Sequence, residues 1–352
     1  MRILHIATEN FAGIPIRLVK AERLLGHYSR LITLMKSPQG YEEDICLELP
    51  FLRNSLVQNF RNIFSKTTTI STSKRNLQKF HFWEPSSVFQ KFIHRCRDFV
   101  WEAKIISEVE KIGGLDSFDL IIADGGHDFF KIKEYLTNST TPLISIYYGS
   151  DFRTRGVFSH IFNKSILNFT FEYDHTVLNP SLEFLFFPYD EEYNGKTDLE
   201  NSKFIVSHSP TNRKAKGTDR ILEALSNISQ GIDFEVDLIE GVSYEESMNR
   251  KSKSSLFIDQ IGELGYGVSS LEALRLGIPT AVEILSDYES ILGEHPFYNL
   301  KSSNLEEDLR SIITNLQVGK FDSKKGKEWV KEYHSTKVVV SKYLRIVTAL
   351  LY

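Results

Sequence analysis

The stretch that decides the fold runs from Ser255 to Glu283 and reads SLFIDQIGELGYGVSSLEALRLGIPTAVE. An apolar run, Ser255–Ile261, predicts a buried strand, and the glycines at positions 262, 265 and 267 predict a loop after it. A short helix should follow, with Ser269 at its N-cap and Gly277 as the left-handed residue past its end. Backbone N–H groups and the positive end of the helix dipole then meet at the loop. This arrangement favours a bound phosphate at Gly267, Val268 and Ser269.

Glu272, in the first turns of this helix, has two interpretations. In the first, Ser269 and Glu272 form a capping box, in which the Glu side chain folds back onto its own helix. In the second, the carboxylate accepts hydrogen bonds from a hydroxyl pair of a ligand, as acidic residues do for ribose in other nucleotide-binding folds. The spacing by itself leaves both open.

Residues 265–279, GYGVSSLEALRLGIP, resemble the nucleotide-sugar segment of family-4-type GT-B glycosyltransferases. The pattern of that family is a Glu, seven residues, a second Glu, and then Ala-x-x-x-Gly-x-Pro. Glu272 matches the second Glu, so the resemblance implies that it binds the ribose of the donor. The chain departs from the pattern eight residues earlier, where Leu264 stands in place of the Glu that contacts the donor sugar.

The composition is that of an ordinary globular protein. The chain has 352 residues, 41% hydrophobic and 25% charged, which is enough for two domains. A net charge of −4 gives no overall attraction to nucleic acid. The two cysteines lack metal-ligand spacing and predict reduced thiols in the cytoplasm. The apolar run after Arg2 is too short for a signal peptide and no stretch reaches about 18 apolar residues, so we expect neither secretion nor a membrane span.

Strands and helices alternate along most of the chain. Arg2–Ala7, Ile14–Leu25 and Tyr28–Leu34 predict a βαβ unit, and Lys203–Ser209 starts a second series that includes a helix at Tyr244–Lys251. Alternation of this kind predicts parallel sheets whose ligands lie beyond the carboxyl ends of the strands.

The resemblance gives this α/β pattern a GT-B architecture, with two Rossmann-like domains that face each other across a cleft. Residues 1–187 would form the acceptor domain and residues 188–335 the nucleotide-sugar domain. Residues 336–352 would form a helix that packs back onto the first domain.

Two turns near the start of the first domain carry candidate residues. Gly13 follows the first strand and is either a plain turn residue or, as in the family, a glycine that faces the cleft. Asp124-Gly-Gly-His127 follows the predicted strand Phe118–Ala123, which makes His127 a candidate for catalysis as well as for a structural role. A helix is expected at about Phe129–Leu136.

A third loop, Gly149-Ser-Asp151-Phe-Arg153, follows the next predicted strand and resembles a motif of the family's N-terminal domain. The resemblance makes Asp151 a candidate catalytic residue and Arg153 an acceptor or cleft residue. The alternative is a turn in which Asp151 and Arg153 bind each other.

The loop Arg213-x-x-Lys216-Gly217 is the second indication of a diphosphate site. Two cations at a strand end can neutralise a diphosphate, with the alternative that both are solvated charges. The Lys216-Gly217 pair matches the family, whereas Arg213 is displaced along the chain. If Lys216 holds the diphosphate, its replacement by Ala should weaken nucleotide binding and leave thermal stability almost unchanged.

No metal or other cofactor is expected. Glycosyltransferases that do not have the GT-B architecture usually hold the donor through Mg²⁺ or Mn²⁺ on an Asp-x-Asp pair, which this chain lacks. Protein cations and a helix N-terminus would then stabilise the departing diphosphate.

The segment Phe51–Lys104 contains ten Lys and Arg residues, three acidic residues and many aromatics. It is either a solvated insertion whose aromatic side chains anchor in the core, or a surface that holds an anionic acceptor or anionic lipid. No nucleic-acid-binding motif accompanies the charge.

These features predict a glycosyltransferase that moves a sugar from a nucleotide-sugar to a polysaccharide, glycolipid or other acceptor at the cytoplasmic face of a membrane. The resemblance implies retention of the anomeric configuration. Two alternatives remain. A GT-B sugar-nucleotide epimerase would isomerise the sugar nucleotide without an acceptor, and a catalytically silent GT-B scaffold would be consistent with Leu264.

Overall fold

The computed structural model describes residues 1–38, 40–50, 80–149, 151–154, 156–190, 203–262, 265–319 and 321–351. The chain divides into two compact units, Met1–Pro188 together with Thr336–Tyr352, and Tyr189–Ser335. Each unit is built on one parallel β-sheet. The predicted α/β class with two Rossmann-like halves is therefore confirmed.

The sheet of the first unit has seven strands among the described residues, in the order β3-β2-β1-β4-β5-β6-β7. The strands β1, β4 and β5 are buried along almost their whole length, as expected for strands covered on both faces. The direction of winding reverses between β1 and β4, and in open α/β sheets ligands bind at the carboxyl ends of such strands. The seven strands are β1 Arg2–Ala7, β2 Tyr28–Thr33, β3 Ile45–Cys46, β4 Leu120–Asp124, β5 Leu143–Tyr147, β6 Leu167–Thr170 and β7 Glu183–Phe184.

The sequence predicts a helix at Asp98–Ile112, and the helix observed there, Val88–Lys111, begins ten residues earlier. Ser87 caps it, with its Oγ accepting a hydrogen bond of 3.1 Å from the backbone N of Gln90. The α-helices described in this unit are Ile14–Leu24, Val88–Lys111, Asp151–Thr154, Ser159–Lys164, Tyr173–Leu178 and Thr336–Leu351.

The helix predicted at about Phe129–Leu136 is wrong. Buried carboxylates hold the backbone N–H groups of this segment and so prevent regular helical hydrogen bonding. Asp128 accepts from the backbone N of Phe129 and of Tyr135, at 2.7 and 3.0 Å. Asp98 accepts hydrogen bonds from the backbone N–H groups of residues 131 and 132, which lie between these two. The segment therefore forms turns and ends in the 3₁₀ helix Leu136–Asn138.

The C-terminal helix Thr336–Leu351 belongs to the first unit, as the fold prediction requires. Its inner face enters the core with Val340, Tyr343 and Val347, all fully buried. The Tyr343 hydroxyl donates a hydrogen bond to the buried carboxylate of Glu22. This contact ties the last helix to the first one.

The sheet of the second unit has five strands among the described residues, in the order β12-β11-β10-β8-β9. Winding reverses between β8 and β10, so the loops that follow these two strands are the expected ligand loops. The strands are β8 Ile205–His208, β9 Glu235–Leu238, β10 Leu256–Ile258, β11 Thr280–Val282 and β12 Tyr298–Asn299. The described helices are Arg213–Lys216, Thr218–Ile228, Tyr244–Lys251, Val268–Leu276, Ser286–Leu292, Leu305–Val318 and Ser323–His334.

In the described part of the chain, no helix has both the length and the apolar character needed to cross a membrane.

Candidate functional site

The two loops at the reversal point of the second sheet are joined by Lys216. The Lys216 ammonium donates a 2.6 Å hydrogen bond to Asp259 Oδ1 and a second bond to Gln260 Oε1. Asp259 and Gln260 directly follow β10, whereas Lys216 ends the short helix Arg213–Lys216 that comes after β8. The fold therefore places a cation between the carboxyl ends of adjacent strands.

Asp259 organises the glycine loop as well. Its Oδ2 accepts hydrogen bonds of 2.7 Å from the backbone N of Gly267 and from the Ser270 hydroxyl. Burial opposes the charge of this fully buried carboxylate, but Lys216 and these two donors outweigh burial and lower its pKa. Asp259 is thus a buried anion that holds both the cation and the start of the helix Val268–Leu276.

Two glycines are required by this geometry. Gly217 has φ +68°, and a Cβ there would lie 2.4 Å from Ile261 Cγ1. At Gly267 a Cβ would come within 3.2 Å of the Lys216 ammonium and 3.3 Å of Asp259. Side chains at either position would disturb the approach of the two loops.

The N-cap predicted at Ser269 is wrong, and with it the capping-box interpretation of Glu272. The N-cap of the helix is Gly267, without a side-chain cap, so Ser269 lies in the first helical turn. Glu272 binds the ammonium of Lys251, a side chain that is only 2% exposed. Lys251 Nζ also lies 3.4 Å from Ser269 Oγ and 5.2 Å from the centre of the Phe257 ring. Glu272 is therefore held by a partner from the preceding helix.

Arg213 has a different environment from Lys216. It starts the short helix Arg213–Lys216 and binds Glu240 with two hydrogen bonds of 2.8 and 2.7 Å. Its side chain is 48% exposed. The structure thus brings Lys216 together with the glycine loop and gives Arg213 a partly exposed carboxylate partner.

Leu264, at the position where the family has its first Glu, lies outside the described residues, as does Glu263. The functional consequence of Leu264 stays a prediction.

In the first unit, Gly13 and His127 lie in the loops that follow β1 and β4, on either side of the reversal point. Gly13 is buried with φ +66°, and a Cβ there would lie 2.9 Å from the Tyr41 ring. A side chain at position 13 would overlap Tyr41, so packing accounts for the glycine. His127 is partly buried and lies edge-to-face on Phe158, with ring centroids 5.7 Å apart.

The loop after β5 is bound to the helix Tyr173–Leu178. Arg153 binds both carboxylate oxygens of Asp174, and its Nη2 lies 3.3 Å from Glu172 Oε2. His175 Nε2 lies 3.1 Å from the Gly149 carbonyl oxygen. Asp151 is the first residue of the helix Asp151–Thr154, and its catalytic role stays a prediction.

His175 is neutral in this position. Its Nδ1 lies 2.8 Å from Thr170 Oγ1, so Thr170 donates to it while Nε2–H donates to Gly149. Burial lowers the pKa of His175 to about 4, despite the nearby carboxylate of Asp174. The imidazole therefore fixes the start of the Gly149–Arg153 loop without adding charge.

No protein-family model matches the sequence, and no curated protein matches it. Solved structures do match. The chain is similar to sucrose-phosphate synthase from Thermosynechococcus elongatus, with a TM-score of 0.60 at 10% identity over 99% of each chain. It is also similar to a glycosyltransferase from Rickettsia africae ESF-5, with a TM-score of 0.58 at 12% identity over 99% of this chain and 98% of the other.

The chain has the GT-B fold. Within this GT-B chain, sequence reasoning missed two groups that the structure reveals. Asp259 was overlooked because the sequence predicts an apolar strand over Ser255–Ile261. An acidic residue at the carboxyl end of a strand could have indicated a site residue. Lys251 gave no signal, because it looks like an ordinary basic residue at a helix C-terminus.

A second buried network of the GT-B chain was also missed. His5 lies in β1, with Nδ1 2.8 Å from Asp124 and Nε2 3.1 Å from Glu22. Burial opposes a charge on His5, but the two carboxylates outweigh it and raise its pKa to about 10. Asp124 immediately precedes the Gly125-Gly126-His127 turn, so this network anchors the loop at the reversal point. The signal was a histidine within the otherwise apolar run of β1.

Among the described residues, no group of three or more His, Cys, Asp or Glu side chains is arranged to hold a metal ion.

Proposed function

We propose that this protein is a glycosyltransferase whose second unit binds a nucleotide-sugar donor. One observation carries the proposal: Asp259 holds Lys216 against the N-terminus of the helix Val268–Leu276, at the reversal point of the sheet. The GT-B fold, shared with solved transferases, supports the same reaction class.

The donor diphosphate would bind where the Lys216 ammonium and the backbone N–H groups of Val268 and Ser269 converge, next to Gly267, whose own N–H group binds Asp259. Negative charge builds up on the diphosphate as the glycosidic bond to the donor sugar breaks. Fixed donors aimed at that charge stabilise the transition state by about 3 kcal/mol each. These residues would perform the task without a metal, and the leaving diphosphate would help to deprotonate the acceptor in a reaction that retains configuration.

Glu272 would accept hydrogen bonds from the ribose hydroxyls. Its ion pair with Lys251 supports this role, because the pair fixes the position of the carboxylate. The buried ammonium thus acts as a positioning group for the ribose contact.

The acceptor would bind in the first unit, near the loops that carry Gly13, His127, Asp151 and Arg153. We propose a polysaccharide or glycolipid acceptor, with the enzyme located at the cytoplasmic face of a membrane. His127 and Asp151 are the candidate catalytic residues of this half.

Calorimetric titration of the wild-type protein with UDP, GDP, ADP, CDP and dTDP, with and without EDTA, tests the donor site. We expect one nucleoside diphosphate to bind in both conditions. The corresponding nucleotide-sugars are then incubated with lipid-linked and free saccharides, and the products are identified by mass spectrometry.

Transfer to an acceptor supports the proposal. Isomerisation of the nucleotide-sugar without an acceptor would identify an epimerase instead. Absence of binding to every nucleotide would refute the donor site and leave a GT-B scaffold.

A further inference from the structure

The helix Val88–Lys111 of the first unit has two apolar faces, and only one of them lies in the core. The inner face packs through Trp101, Ile105 and Val109, each at most 1% exposed. At 3.6 residues per turn, a second set of apolar side chains covers about 140° of the opposite side. We call this set the apolar stripe; it consists of Val88, Phe89, Phe92, Ile93, Phe99 and Val100.

The apolar stripe is exposed to solvent. Val88 and Phe99 are 88% and 80% exposed, and Phe89 and Phe92 are 64% and 62% exposed. The expectation that the aromatic side chains of this segment anchor in the core therefore holds for Trp101 and fails for these phenylalanines. Exposed apolar side chains gathered on one surface mark an interaction site, whereas isolated ones need no explanation.

Positive charge borders the stripe. Lys91 and Arg95 lie along one edge, and both are exposed without an ion-pair partner among the described residues. Two acids of the helix itself are bound elsewhere: Asp98 is buried against Arg97, and Glu102 binds Lys133. The surface thus combines an apolar band with uncompensated cations.

We propose that the apolar stripe binds an anionic membrane surface. The phenylalanines would enter the boundary between headgroups and acyl chains, while Lys91 and Arg95 contact lipid phosphates. A pair of chains related by a two-fold axis fits less well, since it would bring two copies of the same unpaired cations into one interface. The proposal agrees with a membrane-bound acceptor but uses no part of the donor site.

The binding test uses sedimentation of the full-length protein with phosphatidylcholine vesicles that contain or lack phosphatidylglycerol. We expect binding to the anionic vesicles and release at high salt. Replacing all three phenylalanines of the stripe by Ser should lower the partition coefficient at least about tenfold. Neutralising Lys91 and Arg95 to Gln should lower it roughly fivefold per charge.

Matched controls come from exposed residues elsewhere. Leu24→Ser and Val318→Ser remove apolar side chains that are 81% and 83% exposed, and Lys324→Gln with Lys331→Gln removes two exposed cations. These variants should bind vesicles like the wild type. Circular dichroism should give the same spectrum for all variants.

Cys96 provides an independent readout, because it is an exposed thiol on the same side of the helix, between Phe92 and Phe99. In a Cys46→Ser background, an environment-sensitive dye on Cys96 should brighten and shift to the blue with anionic vesicles only.

Three results would overturn the proposal: no sedimentation of the wild type, equal loss in the stripe variant and the controls, or an unchanged dye spectrum. A wild-type dimer in ultracentrifugation that the stripe variant abolishes would assign the surface to a second copy of the chain and overturn it too. Nucleotide binding is measured without vesicles, so failure of the donor site and failure of the membrane surface are distinguishable.

Discussion

Replacing Lys216 by Met removes the only cation among the described residues that forms an ion pair with Asp259. The sequence suggested that loss of Lys216 would hardly affect stability, and the structure reverses this expectation. Lys216 is 14% exposed and Asp259 is fully buried, so the variant leaves a buried carboxylate without its counter-charge. Breaking a buried pair in this way costs about 3 kcal/mol or more. The variant should also bind the nucleoside diphosphate more weakly by about 1.5–3 kcal/mol, the range for hydrogen bonds to charged groups.

The double variant Lys216→Met with Asp259→Asn separates the two effects. Removing both charges should restore much of the stability in urea unfolding, whereas calorimetry should still show weak nucleotide binding. Arg213→Met is the matched control for the same loop, and its unfolding midpoint should equal that of the wild type because its partner Glu240 is a surface residue. If Lys216→Met unfolds at the wild-type urea concentration, the buried pair does not stabilise the fold. Unchanged nucleotide affinity would remove Lys216 from the donor site.

Three further predictions concern the other positions of the two units. Glu272→Gln should lower the free energy of unfolding by about 3 kcal/mol, because it leaves the buried Lys251 unpaired. The variant should also bind the nucleotide more weakly. If the losses of binding energy from this substitution and from a 2′-deoxy nucleotide are strictly additive, Glu272 does not contact the ribose. His175 binds a proton in the unfolded chain near pH 6.5 but in the folded protein only near pH 4, so stability should fall on acidification by roughly 2 kcal/mol between pH 7 and pH 5. Urea unfolding of His175→Gln should lack this part of the pH dependence, and parallel curves for variant and wild type would contradict it. Gly217→Ala should lower the free energy of unfolding by at least about 2 kcal/mol, because of the left-handed φ and the overlap with Ile261. Gly241→Ala is the control, since Gly241 has φ +65° but open space around it. An equal loss of stability in both variants would show that the overlap contributes nothing.

Local patterns determined most of the secondary structure. The strand Arg2–Ala7 and the helix Tyr244–Lys251 have the bounds that the sequence predicts. Gly277 ends the helix Val268–Leu276 with φ +80°, as a glycine before Ile-Pro indicates. These features depend on residues within a few positions of one another, which is the range over which propensity, periodicity and capping act.

The proximity of the two loops of the proposed donor site was also predictable, because the carboxyl ends of parallel strands meet at one edge of a sheet. The alternation of strands and helices therefore predicts that Lys216 and Gly267 lie near each other. The order β12-β11-β10-β8-β9 explains this proximity, since β8 and β10 are neighbours.

Only the tertiary structure decided which charges bind each other. Lys216 binds Asp259 43 residues away, and Glu272 binds Lys251 21 residues away. Over such separations the partner of a charge depends on which strands and helices become adjacent, so the spacing of Ser269 and Glu272 could not show which group Glu272 binds. A contact between distant residues also explains why the helix predicted at Phe129–Leu136 does not form: Asp98 from the preceding helix accepts hydrogen bonds from backbone N–H groups of this segment. A buried carboxylate must be satisfied, and the nearest donors in space need not be near in sequence.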